Sequence, residues 1–206
     1  MRFRTTNDSK YSQLMKNKGF ETVEHLAIDH VATAFNTMVL YHDFPSHATY
    51  DHDFAIIRLK RNPVPTMRKE FFHELAHVIA HYGDQNQLPQ EFNSLQERQA
   101  YWISLYLAMP RHIFEPLAFK HQCIATLAEL FELPEEMINE RVKTIQREQC
   151  RTNQQIQLHE QESKFRTKSL QPKRIYPSTY DVLKQLESQV GEENINYEVS
   201  RLLRGH

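Results

Sequence analysis

The stretch that decides the fold is Thr66-Met67-Arg68-Lys69-Glu70-Phe71-Phe72-His73-Glu74-Leu75-Ala76-His77-Val78-Ile79-Ala80-His81-Tyr82-Gly83. It follows the strand breaker Asn62-Pro63-Val64-Pro65, offers Thr66 as an N-cap and ends on a glycine, so it predicts a helix over 66–82. Its apolar residues are dense enough for a buried helix. Two histidines four residues apart on such a helix share one face, and both can bind one metal ion. Imidazole nitrogen suits zinc. Glu74 sits beside that site without ligating it, where a carboxylate can take a proton from a water that the ion polarises. A buried helix whose histidines are hydrogen-bonded core residues is the plainer alternative. In a chain of this composition the five-residue motif arises by chance at a rate of roughly 6%, so further ligands have to be sought.

A catalytic zinc needs a third protein ligand and an open position. His81 continues the four-residue spacing, but three donors along one straight helix are nearly collinear at about 6 Å per step. Holding a ligand in place from behind, or a structural role, suits it better. The other candidate is Glu97, which a second helix packed antiparallel to the first could return to the metal; two histidines and one carboxylate form a catalytic zinc set. Glu97 has a competing reading as the N3 residue of a capping box led by Ser94. An oxyanion-stabilising partner is also required. Tyr82, His81 and His112 are all conceivable, and nothing in the sequence chooses among them.

Outward from this helix, the composition bounds the class. The 206 residues include only 4 glycines, against about 14 at average usage. That scarcity argues against a turn-dense all-β chain and against glycine-rich nucleotide loops. A formal net charge of -1 points to neither nucleic acid nor membrane. No apolar run approaches the roughly 20 residues of a membrane span, and the polar start lacks a signal-peptide core. Cys123 and Cys150 form no Cys-x-x-Cys pair and read as reduced thiols. A cytoplasmic protein is expected.

Along the chain, residues 1–20 read as a loose polar start and 22–35 as an amphipathic helix. Met38–Tyr41 and Phe54–Leu59 read as strands, with 45–53 a loop between them. The second strand could take an extended substrate by β-augmentation, or could simply lie inside the sheet. Helices are expected from Ser94 to about Met109, then over 112–119, 121–131 and 134–147. The order is that of an α+β fold with one small sheet of about three strands. From 148 to 177 a glutamine-rich and then basic stretch reads as a weakly packed helix or linker. A short amphipathic helix follows, capped by Ser178. The domain expectation is therefore 1–147, with 111–147 as its helical region, and a C-terminal extension over 148–206.

Taken together, the motifs resemble the ImmA/IrrE family of metallo-endopeptidases. His73-Glu74-Leu75-Ala76-His77-Val78-Ile79-Ala80-His81 is similar to the first part of that family's signature. Glu97-Arg98-Gln99-Ala100-Tyr101-Trp102-Ile103-Ser104-Leu105-Tyr106-Leu107-Ala108-Met109-Pro110 is similar to the second. The likeness covers about residues 20 to 147. Gln99 stands where the family commonly has an acid, and Tyr101 where it has Asn or Asp. The resemblance implies a zincin-like core and one catalytic Zn2+ held by His73, His77 and Glu97, with Glu74 as the base. It also implies a helix-turn-helix repressor, from a mobile element or stress locus, as the protein substrate.

The alternative is a non-catalytic zinc-containing regulator that binds a repressor or DNA through its helical C-terminal region. Residues 121–142 do have a helix–turn–helix look. However, the second helix opens with Glu135-Glu136 and carries Glu140, which repel phosphate, so direct nucleic-acid binding is not expected.

Overall fold

A computed structural model describes residues 6–51, 54–81, 90–169, 175–191 and 194–204. Tyr82 and Gly83 lie outside the described residues. The chain divides into two compact units, residues 2–148 and 149–206.

In the first unit, helix α1 (Thr6–Asn17) leads through a 3-10 turn (Glu24–Leu26) into α2 (Ile28–Ala34). The loosely polar start is thus helical: Tyr11 and Met15 are buried four residues apart, as one face of a packed helix requires. The helix expected over 22–35 is interrupted at Ala27, whose extended backbone (φ -57°, ψ 143°) separates the 3-10 turn from α2. Strands β1 (Thr37–His42), β2 (His47–Tyr50) and β3 (Ala55–Lys60) follow. They form one sheet in the order β1-β3-β2, with β1 parallel and β2 antiparallel to β3.

Two expectations change here. Part of the stretch read as a loop forms β2, whose short polar sequence hides its alternation. The Phe54–Leu59 strand corresponds to the central β3, so both its edges are occupied and it cannot accept an added strand. Ala55, Ile57 and Leu59 alternate into the core.

Helix α3 (Val64–Ala80) packs against β3 and β2. Its N-cap is Pro63 rather than Thr66, with Pro65 in the first turn, where a missing N–H costs nothing. Arg68, Phe71, Phe72, Leu75 and Ala76 form its buried stripe at helical spacing. Helix α4 (Gln90–Ala108) packs on α3, and α1 packs on α4. Because α4 begins at Gln90, Ser94 and Glu97 stand inside the helix and the capping box does not form. Helices α5 (Arg111–His121), α6 (Ile124–Phe131) and α7 (Glu135–Ser169) complete the sequence to residue 169. Gln122 and Glu132 end α5 and α6 in the left-handed conformation, a task usually given to glycine.

Helix α7 runs well past the expected end at 147. Beyond residue 152 it is solvent-exposed wherever its side chains are described, and its helicity there rests on local propensity instead of burial. In the second unit, α8 (Pro177–Val190) and α9 (Tyr197–Arg204) pack together, with Ile175 and Leu202 buried. Tyr176, not Ser178, occupies the N-cap of α8. Among the described residues no helix is long and apolar enough to cross a membrane.

Candidate metal centre

The sequence places His73, Glu74 and His77 on α3 and Glu97 on α4. Packing brings the three candidate ligands together. His73 Nε2 lies 3.2 Å from His77 Nε2. Glu97 Oε2 lies 3.1 Å from His73 Nε2, and Glu97 Oε1 lies 3.4 Å from His77 Nε2. Antiparallel packing makes this possible: where His73 meets Glu97, Lys69, one turn earlier on α3, acts electrostatically on Tyr101, one turn later on α4.

These separations test the site for zinc. Ligands about 2.0–2.1 Å from a tetrahedral ion stand roughly 3.3 Å apart along each edge. The His73–His77 separation is close to that edge, and each imidazole has one of the two Glu97 oxygens at a similar distance. Two imidazole nitrogens and a carboxylate are all ligand types that zinc takes, and one ligand atom from each lies within 4.8 Å of the others. The donor set therefore fits zinc. The Glu97 side chain is 52% exposed, against 29% for His73 and 5% for His77, so the cluster is open on one side. An open side is what distinguishes catalytic from structural zinc.

The electrostatics agree with ligation. Burial, reinforced by the neighbouring His73 ring, pushes the His77 pKa down to about 4. His77 is consequently neutral near pH 7, the form that binds metal. Glu74 is half-buried beside the ligands. Burial raises its pKa and Glu97 and Glu70 add to that, while His73 and a hydrogen bond from the Ala48 backbone oppose it. That contact comes from β2, at the edge of the sheet. The Asp51 N–H to Phe54 carbonyl bond sets the ladder's parity: His47 and Thr49 pair with β3, while Ala48 and Tyr50 turn their backbone groups to the outer edge.

Glu70, one turn before Glu74, ties the same region together. It accepts hydrogen bonds from Ser46 Oγ and from Asn62 Nδ2 (3.0 Å), and so holds the start of β2 and the entry to α3 in place. The sequence reading missed this residue. Its only signal was its position four before Glu74 on the same face.

The remaining candidates separate. His81 is buried, and its backbone is extended (φ -119°, ψ 133°), because α3 ends at Ala80. Its ring folds back so that Nδ1 lies 3.1 Å from His77 Nδ1, on the side of that ring away from Glu97 and His73. His81 Nε2 lies 3.3 Å from Gln99 Oε1. His112 directs Nε2 to the Phe20 carbonyl at 2.7 Å.

The family model of the IrrE N-terminal-like domain, a peptidase family, matches residues 32–143. The chain belongs to that family. The matched region holds the sheet, α3 and α4, so this family member carries its cluster on the shared core. It is also 25% identical over 187 residues to the phage-like element PBSX protein XkdA of Bacillus subtilis (strain 168), with 89% of each chain covered. A Mycobacterium tuberculosis transcriptional regulator shares the fold, with a TM-score of 0.51 at 17% identity. That likeness covers 70% of this chain and 48% of the regulator's, so the chain spans about half of that protein. Membership places the chain among metallopeptidases in general.

Proposed function

We propose that the chain is a zinc-dependent endopeptidase, with the metal held by His73, His77 and Glu97 and with Glu74 as general base. The observation that carries this reading is the meeting of two imidazole nitrogens and a partly exposed carboxylate within 4.8 Å of one another, with a half-buried carboxylate next to them. When bound, zinc supplies Lewis acidity to the scissile carbonyl and to a water. Glu74 accepts a proton as the water oxygen attacks the carbonyl carbon. It returns that proton to the leaving nitrogen as the C–N bond breaks. The Ala48 backbone hydrogen bond ties Glu74 to β2 and so fixes the base beside the ligands.

The proposed substrate is a helix-turn-helix repressor of a mobile element or stress locus, met in the cytoplasm. The resemblance of the paired motifs to ImmA/IrrE peptidases supports this, as does similarity to a protein named for a phage-like element. The test is whether a helix-turn-helix protein is encoded beside this gene and, if so, whether the chain cleaves it with and without a chelator. Glu74→Gln is expected to keep stoichiometric zinc and lose cleavage by at least 100-fold, the lower end of a general base's contribution. Wild-type cleavage by that variant would remove Glu74 from the role, and a chain that takes up no zinc at neutral pH would overturn the reading.

A further inference from the structure

We propose that His81 and Gln99 form a proton-ordered relay that locks His77 in its metal-binding tautomer, which makes them positioning residues for the zinc site. This rests on the zinc reading above. A histidine that binds metal through Nε2 must carry its proton on Nδ1. His77 presents Nε2 to His73 and Glu97, so Nδ1 is its N–H. That N–H faces His81 Nδ1 at 3.1 Å, which must then be a bare lone pair. With Nδ1 accepting, a neutral His81 holds its proton on Nε2. That proton points at Gln99 Oε1, 3.3 Å away, and the amide carbonyl accepts it. Each proton position follows from the one before, and the chain ends on an acceptor.

The opposite order fails at its first step. If His81 Nδ1 donated to His77 Nδ1, the His77 proton would sit on Nε2 and face the metal. A side chain held in the ligating tautomer also loses no entropy in choosing it, so the site is preorganised. The backbone contributes too. α3 stops at Ala80, and the extended conformation of His81 lets its ring turn back over His77 instead of pointing onward along the helix axis. Gln99 comes from α4, two residues after Glu97. The same helix therefore supplies the third ligand and the end of the relay.

The test is zinc affinity of the full chain, by competition with a chromophoric chelator, together with nitrogen-15 NMR of the histidine rings in the zinc-loaded protein. His81→Leu removes the acceptor and is expected to weaken zinc binding by about 10–100-fold. His81→Gln restores a carbonyl acceptor and should recover most of that loss, which a merely space-filling role would not predict. Gln99→Leu should weaken zinc binding by a smaller factor. In the wild type, NMR should find His77 as the Nδ1–H tautomer and His81 as the Nε2–H tautomer. Unchanged affinity in His81→Leu, or a proton on His81 Nδ1 in the loaded protein, overturns the relay while leaving the peptidase reading intact. A wild-type chain that binds no zinc overturns both.

Discussion

Two polar clusters lie in the first unit, and they are built on opposite principles. In one, Arg141 lies fully buried across Asp8, with Nη2 2.7 Å from Oδ1 and Nη1 3.1 Å from Oδ2. Its Nε donates to the Met109 carbonyl, and its guanidinium stacks on Tyr106 at 5.0 Å. Arg111 bonds Asp8, Glu115 and Glu148. Ser12 links the Arg111 backbone N–H to Asp8. Cations and anions alternate, so the cluster closes on itself and binds α1 to α5 and α7. In the other cluster, the groups that meet are two imidazoles and a carboxylate. The first cluster matches cations to anions internally, whereas under the proposed function a metal ion completes the second. Buried charge by itself does not mark a functional site; charge that lacks an internal complement does.

Breaking the closed cluster should have the largest effect. Asp8→Ala leaves two buried guanidinium groups short of an anion and is expected to cost about 3–5 kcal/mol in denaturant unfolding. It should leave the stabilisation gained from zinc unchanged. The open cluster should respond the other way. Zinc at 100 times its dissociation constant should stabilise the wild type by about 2.7 kcal/mol. His77→Ala should abolish that increment while changing the metal-free protein far less than Asp8→Ala does. If metal-free His77→Ala unfolds as readily as Asp8→Ala, the contrast between the clusters is lost.

The smallest effect is a slope in pH. Burial alone would raise the Asp8 pKa, but the charges of Arg141 and Arg111 and the hydrogen bonds to Arg141 and Ser12 outweigh it and hold the pKa below the ordinary aspartate value. In the window between the two values the unfolded chain binds the proton and the folded chain does not. Stability from this group is thus fully present above the ordinary aspartate pKa and is lost as pH falls through the folded value. Zinc-free wild type should show this acid loss, and Asp8→Asn should show a shallower one. Equal slopes in the two proteins would place the acid sensitivity elsewhere.

How much of this could be read from the chain differs sharply between the clusters. His73, Glu74 and His77 lie within five residues, so helical periodicity alone sets their geometry. Glu97 was legible as a candidate only, because a capping role competed with it until α4 was seen to start at Gln90. Asp8, Arg111 and Arg141 were not legible: about a hundred residues separate the first two, and no local pattern links them. Strand β2 was missed because its four residues, His47-Ala48-Thr49-Tyr50, carry no large aliphatic side chain and bury too little to show alternation. The stretch after 147 was legible only as a weakly packed helix or a linker, and α7 takes the helical option to Ser169; a helix with little burial has no apolar stripe to decide between them.

By itself, then, the sequence determined the helix-rich class, the small sheet and the shared face of His73 and His77 on α3. Those follow from composition and from spacings of a few residues, which obey local geometry. Only the tertiary structure decided that Glu97 meets His73 and His77, that β3 is central and β2 the edge, and that His81 turns back to His77. Each of these depends on how elements far apart in sequence, or a helix end, are placed by packing. Local propensity is blind to that placement, because the free energy that sets it comes from burying surfaces the chain brings together only once folded.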